Sequence, residues 1–236
     1  MTVPHQLSAI IVTRRKAEEL DGILANLLNQ DRPPDEVIVW DNDPAGSGRA
    51  AGGLRDRTVR YCCPGEDSGL TVGRNSAAAM ARGDILLFVA DHLRFDKYHV
   101  TNVLMNLFRP REVSAITFQV RDASSKELVP SEFPTVRLTR WGEARRVGAL
   151  SSCAFAIRRN VFEELGGLDE QLRGGEEGLE LAFRITRAGG EVRYQPEILV
   201  NERTSLRDPE PSPAAYRLLR NRLYVALKHL PWPCVA

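Results

Sequence analysis

Lysine is scarce in this chain of 236 residues: four of its 32 basic residues are Lys, and the rest are Arg. Net charge is scarce too. The 32 basic and 31 acidic residues leave +1, so no global field favours nucleic acid or an anionic membrane. Cysteine is limited to Cys62, Cys63, Cys153 and Cys234. Adjacent Cys62 and Cys63 fit no zinc spacing and nothing suggests a disulfide framework, so the expected setting is the reducing cytoplasm. No apolar run approaches the ~18 residues that a spanning helix needs. The opening MTVPHQLSAIIVT lacks a basic region followed by an apolar core, and no signal peptide is expected. Internal repeats and low-complexity segments are missing as well. The length suffices for one large α/β domain with a sizeable core.

The first half alternates short apolar runs with amphipathic stretches. LSAIIV (7–12) predicts a buried strand. Leu20, Ile23, Leu24, Leu27 and Leu28 then recur at helical spacing. EVIVW (36–40) predicts a second strand and VRYCC (59–63) a third. SGLTVGRNSAAAMARG (68–83) reads as a loop and an Ala-rich helix, and DILLFV (84–89) as a fourth strand. Strands that are apolar throughout and alternate with helices indicate a mainly parallel sheet flanked by helices. Ligands of such sheets sit at the carboxyl ends of the strands. The polar groups just past those ends are Thr13-Arg14-Arg15, Asp41-Asn42-Asp43 and Asp91-His92, so these should converge.

The second half is less regular. VSAITFQV (113–120) predicts a strand, and residues 121–147 are polar and Arg-rich without a clear period. ALSSCAFAIRRNVFEELGGLDE reads as strand, short helix and Gly-Gly turn. EEGLELAFRITRAGG (176–190) predicts a helix stopped by two glycines. EVRYQPEILV predicts two short strands around Pro196, and DPEPSPAA (208–215) a proline-rich hinge. The last helix (216–230) places Tyr216, Leu219, Leu223, Leu227 and Leu230 on one stripe, with Arg217, Arg220, Arg222 and Lys228 elsewhere. That pattern reads as an amphipathic helix packed on the domain. Membrane-surface contact through Trp232 and the Arg face, and a homodimer contact, are the other two readings.

Five segments in order carry a resemblance over about Leu7 to Leu230. They are SAIIVTRR, PPDEVIVWDND, GLTVGRNSAAAMARGDILLFVADH, GALSSCAFAIRRNVFEELGGLDE and GGEEGLELAFRITRAGG. Together the chain resembles glycosyltransferase family 2 with the GT-A fold, a Rossmann-like sheet with an acceptor-side lobe. The resemblance implies one domain over 1–236. Its donor-nucleotide half would run to about 112, its acceptor half over about 113–205, and a C-terminal lid and helix over about 206–236.

The same resemblance implies the site. Asp41 would accept the N–H of the donor's base edge, although a strand-end Asp also caps turns. Arg74 and Asn75, at the opening of the Ala-rich helix, would face the diphosphate with Thr13 and with Arg14 or Arg15. The metal-binding D-x-D motif reads Ala90-Asp91-His92 here, so its first acid is lost and its last is an imidazole. The His expected after YQPEILV is replaced by Glu202, or by Asn201 in the other alignment. Asp91, His92 and Glu202 would then hold a divalent ion, better suited to manganese than to magnesium. The family's E-D pair falls on Glu177 and Gly178, with Glu180 as the further acid. Glu177, or Glu176 one residue earlier, would be the base that takes the acceptor's proton. A Glu in the first turn of a helix also simply complements its dipole.

The expected function is inverting, divalent-metal-assisted transfer of a sugar from a nucleoside diphosphate donor. The acceptor hydroxyl would lie on a saccharide, a lipid-linked glycan or a natural product, and RTSLRDPEPSPAA would close over the donor as a lid. The altered motifs support a second reading, a catalytically weakened nucleotide-sugar-binding module that serves another transferase. A nucleotidyltransferase would want a glycine-rich loop after the first strand, and TRRKAEEL has the bases without the glycine.

Overall fold

The computed structural model describes residues 6–14, 17–127, 143–203 and 213–230. Residues 204–212 of the lid and hinge, Arg15, Trp232 and the middle of the Arg-rich stretch lie outside the described residues.

Four strands form the parallel part of the sheet: β1 (Leu7–Thr13), β2 (Glu36–Asp41), β3 (Val59–Cys62) and β4 (Ile85–Val89). β1 and β4 are buried along their whole length, as a strand covered on both faces must be. A helix leads on from β1, α1 (Ala17–Leu28), and another follows β3, α2 (Leu70–Ala79). After β4 come β5 (Leu93–Phe95), α3 (Val100–Leu107) and β6 (Val113–Asp122). The sequence reading left α3 out. Its apolar set Val100, Leu104 and Met105 is too short for the period to stand out, and it is buried all the same. β7 (Arg145–Arg146), β8 (Ala154–Arg158), α4 (Arg159–Glu164), α5 (Glu177–Arg187), β9 (Glu191–Glu202) and α6 (Pro213–His229) complete the chain.

One sheet of nine strands results, in the order β3-β2-β1-β4-β8-β6-β9-β5, with β7 pairing β9. β1 to β4 pair in parallel, and so do β6 and β9. β8 runs antiparallel between β4 and β6, and β5 antiparallel against β9. The expected pair of strands around Pro196 is a single strand. Its register against β6 shifts from Phe118↔Gln195 to Gln119↔Leu199, which leaves Pro196 in the bulge. A residue without an N–H is tolerated there.

Alternation along the strands splits the core in two. Ile11, Leu87 and Phe118 face α1 and α3, where Leu20, Leu24, Leu104 and Phe108 meet them. Ile10, Phe88 and Ile157 face α2, α4 and α5, meeting Ala77, Phe162, Leu181 and Ile185. Phe88 stacks on Phe155 with ring centroids 4.7 Å apart. Among the described residues no helix is long and apolar enough to cross a membrane.

α6 corrects an expectation. Its apolar stripe does not pack on the domain: Tyr216 is 73% exposed, Leu219 59% and Leu227 58%. The helix docks instead through Asn221, Val225 and His229, all buried. Asn221 donates to the Gly175 carbonyl, and His229 stands 3.0 Å from Glu180. Polar anchors decide the face because they satisfy buried acceptors, which a leucine stripe cannot do. Leu219→Gln and Leu223→Gln should therefore change unfolding free energy by no more than about 0.5 kcal/mol. Val225→Ala should cost about 1–2 kcal/mol. Urea titration of the three variants separates the two faces.

Candidate functional site

The carboxyl ends of β1, β2 and β4 lie along one edge of the sheet, where a cleft of about 950 Å³ opens. Thr13, Arg14, Asn42, Asp67, Asp91 and His92 line it, so the strand-end groups converge as the sequence predicted. A smaller cavity of about 340 Å³ sits at the opposite edge beside Gln6, Asp35 and Arg82. It lacks the strand-end groups and lies at the end of a parallel sheet where ligands do not bind.

The floor of the cleft is a hydrogen-bonded chain. Thr13 Oγ1 donates to Asp91 Oδ2 at 2.7 Å. Asp91 Oδ1 faces His92 Nδ1 at 3.2 Å, and His92 Nε2 faces Glu202 Oε1 at 3.5 Å. The main chain holds these positions: Leu93 pairs with Glu202, and the Arg203 N–H donates to the His92 carbonyl. Glu202 rather than Asn201 is thus the residue beside His92, since Asn201 turns to Asp96. Burial opposes charge on His92, but its hydrogen bonds to Asp91 and Glu202 and their charges outweigh it and push the imidazole up to about 9.

Asp41 is fully buried at the end of β2. Its carboxylate accepts the N–H of Asp43 at 2.8 Å, that of Gly48 at 2.9 Å and the Tyr61 hydroxyl at 2.6 Å. A Cβ at Gly48 would stand 2.6 Å from that carboxylate, so this close approach needs glycine. The turn-capping role of Asp41 is therefore present, and the carboxylate does not line the cleft, where its neighbour Asn42 does. Arg14 is exposed on the rim and pairs with Asp67 at 3.0 Å.

Arg74 and Asn75 lie in the second turn of α2, because the helix begins at Leu70 and not beside them. Asn75 turns away from the cleft and bridges to Leu168 and Glu170. Arg74 is buried and donates to the Ser152 carbonyl at 2.7 Å and to Glu177 Oε1 at 3.0 Å. Glu177 Oε2 accepts the Gly175 N–H. Neither partner of this ion pair lines the cleft. Glu176 precedes α5 in the left-handed conformation, φ 68°, which a non-glycine residue rarely adopts. It pairs with Arg222 at 2.7 Å, and that arginine side chain is 43% exposed. At Gly178 a Cβ would stand 2.4 Å from the Leu150 carbonyl oxygen, so the helix start takes no side chain there. Glu180 is buried under α6, where Arg184, Lys228 and His229 surround it. Burial opposes its charge, yet these partners hold its carboxyl below the usual range.

Three residues at the site were missed in the sequence. Arg173 and Arg217 reach the rim of the cleft from loop and helix distant in the chain. Cys153 stands with His92 and Glu202 so that one ligand atom from each lies within 4.8 Å of the others. Its place just before an apolar strand was the one available signal, and spacing rules built on paired cysteines pass over it.

Two outcomes follow from this geometry. Glu177→Gln leaves Arg74 buried beside a neutral group and should cost on the order of 3–5 kcal/mol. Arg74→Met should cost a similar amount, and the double variant should fall well short of the sum, as thermal unfolding of the set will measure. The His92 imidazole titrates higher in the folded chain than its unfolded value of about 6.5. Its ion pairs therefore stabilise the metal-free protein fully below about 6.5, and that contribution disappears as pH rises through about 9. His92→Gln should flatten this part of the stability–pH curve. An unchanged curve would mean that the imidazole is not paired.

Comparison with known proteins places this architecture. The sequence model of glycosyl transferase family 2 matches residues 8–166. A pre-mycofactocin glycosyltransferase of Mycobacterium tuberculosis is 38% identical over 64 residues, 26% of this chain and 13% of the relative. The probable glycosyltransferase YdaM of Bacillus subtilis is 24% identical over 181 residues, 71% of this chain and 41% of that protein. The crystal structure of GalNAc-T7 with UDP, GalNAc and Mn2+ superposes with a TM-score of 0.73 at 17% identity, covering 95% of this chain and 48% of the other. The chain thus spans less than half the length of each of these proteins. The sheet with its flanking helices has the GT-A fold, and the chain belongs to glycosyl transferase family 2.

Proposed function

We propose that the chain transfers a sugar from a nucleoside diphosphate donor to an acceptor hydroxyl, with inversion and with the help of a divalent cation. The observation that carries this reading is the pair Asp91–His92 on the floor of a cleft rimmed by Arg14, Arg173 and Arg217, with Glu202 behind His92. Carboxylates and an imidazole are fitting donors for a divalent ion, and the imidazole favours manganese over magnesium. Such an ion neutralises charge on a leaving diphosphate. The rim arginines complement the same anion, and Asn42 flanks the space for the base, with Asp41 buried behind it. UDP and Mn2+ are bound by the similar GalNAc-T7, which supports the choice of probes. The acceptor class remains that of the sequence reading: a saccharide, a lipid-linked glycan or a natural product. The outward stripe of α6 supports a membrane-surface or homodimer contact, which sedimentation of wild type and Leu223→Gln with and without anionic vesicles would reveal.

For the proton acceptor, magnitudes separate the two candidate acids. Freeing Glu177 means breaking a buried pair, at about 3–5 kcal/mol. Glu176 is buried too and does not line the cleft, but its partner Arg222 is half-exposed and can go into solvent, so freeing it costs less than freeing Glu177. Strained backbone at Glu176 and its nearness to Gly174 on the cleft point the same way. Glu176 is the base in this reading, and Glu177 fixes Arg74.

A second reading has one observation of its own. The position where the family carries its acid is Gly178, and it has no room for a side chain. A nucleotide-sugar-binding module without transfer activity would tolerate this. Donor hydrolysis and nucleotide binding, measured together, separate the two readings. The transferase reading expects UDP-sugar hydrolysis with manganese, falling about 10²-fold or more in Glu176→Gln while UDP binding persists. Binding without any turnover selects the module. Full activity in both Glu176→Gln and Glu177→Gln would sink a carboxylate base.

A further inference from the structure

Asp91 and His92 line the cleft, and behind His92 stand Glu202 and a thiol, Cys153, neither of which lines it. Cys153 lies immediately before β8, half-buried, and its carbonyl accepts the Ala90 N–H. His92 and Glu202 are fixed across from it by the β5–β9 pairing. The three residues come from three separate segments, yet one ligand atom of each falls within 4.8 Å of the other two. Ligand atoms around a tetrahedral ion at about 2.0–2.3 Å stand roughly 3.3–3.8 Å apart. The 3.5 Å between His92 Nε2 and Glu202 Oε1 already meets that spacing. Cys153 Sγ, within 4.8 Å of both atoms, stands no more than about 1 Å outside it.

Asp91 has a different place. Its Oδ1 sits on the other ring nitrogen, Nδ1, and its Oδ2 is held by Thr13. A carboxylate on Nδ1 fixes the ring and leaves Nε2 to bind a metal. The set is thus one imidazole, one thiolate and one carboxylate oxygen, with a carboxylate behind the imidazole. Oxygen-only sets suit magnesium, whereas a thiolate with an imidazole suits zinc or cobalt(II). Three protein donors leave the fourth position of a tetrahedral ion open toward the cleft that His92 lines.

We infer that His92 Nε2, Cys153 Sγ and a Glu202 carboxylate oxygen form a three-donor cage that takes a zinc-class divalent ion in preference to manganese or magnesium, with Asp91 as a positioning residue. This rests on the metal-assisted reading above, but it replaces manganese by a zinc-class ion and moves Asp91 from ligand to support of the imidazole.

Cobalt(II) titrated into metal-free full-length protein, with and without UDP, reports the donors directly. A thiolate ligand gives an intense near-ultraviolet charge-transfer absorption that nitrogen and oxygen donors do not. The expected result is saturation at about one cobalt per chain, with that band present in wild type and lost in Cys153→Ser. Zinc should displace the cobalt, and about a hundredfold excess of manganese or magnesium should not. A second measurement needs no variant. Zinc should slow iodoacetamide alkylation of Cys153 about tenfold or more, because a coordinated thiolate is no longer a free nucleophile, while Cys62 reacts unchanged. Cobalt bound without the band, or a band that survives Cys153→Ser, overturns the cage. If His92→Ala still abolishes that binding, the metal-assisted reading stands without the thiol. Failure of cobalt, zinc and manganese alike to bind overturns both.

Discussion

The buried ion pair between Arg74 and Glu177 is the contact on which the arrangement of the cleft depends. It joins the second turn of α2 to the first turn of α5, 103 residues later, and the same guanidinium ties in the Ser152 carbonyl. Three segments far apart in the chain are thereby locked at one point beside the cleft. A pair with both partners almost without solvent is a poor source of net stability, since desolvation offsets most of the attraction. Its effect is specificity. A shift of either helix would strand a charge in the interior, and that cost keeps the start of α5 where it is. The strained turn at Glu176 and the close approach at Gly178 are consequences of this fixed start.

Charge on the cleft differs with depth. Arginines share the exposed rim with Glu66 and Asp67, while the buried Asp91 and the His92 imidazole occupy the floor. Rim charges in high dielectric attract an anion at little cost and adapt to it. Floor charges are held by the sheet itself, through the backbone pairing of β5 with β9 and of Ala90 with Cys153. A nucleoside diphosphate entering such a cleft would meet flexible cations first and a preorganised cluster second. α6 takes part on both levels. Arg217 reaches the rim, and Arg222 holds Glu176.

Much of the fold was legible because strands that are buried on both faces read as unbroken apolar runs. β1, β2 and β4 came out within a residue or two, and so did the convergence of Thr13, Asn42 and Asp91 at their ends, while Asp41 stays buried behind the cleft. α3 was not legible, since eight residues give a helical period too few repeats. The facing of α6 was misread for a different reason. Periodicity finds an apolar stripe but cannot say that Asn221 and His229, on another face, have buried partners waiting. The same limit applied to the site. Arg74 was visible as a candidate diphosphate ligand and Glu177 as a candidate base, yet nothing in sequence announces that they bind each other. Cys153 was passed over because a lone thiol gains meaning only from neighbours that folding brings to it.

Gly178 has a bearing on how the chain can change. A glycine codon becomes an aspartate codon by a single base change, so the acid is mutationally near. Structurally it is remote, because the obstacle is a main-chain carbonyl, that of Leu150, which no rotamer can move aside. Any gain of an acid at Gly178 therefore has an order imposed on it. The segment around Leu150 must shift before the acid can enter, and until then every chain that gains the acid loses fold stability. The position is entrenched by its surroundings, and any carboxylate chemistry at this helix start has to be found at a neighbouring residue.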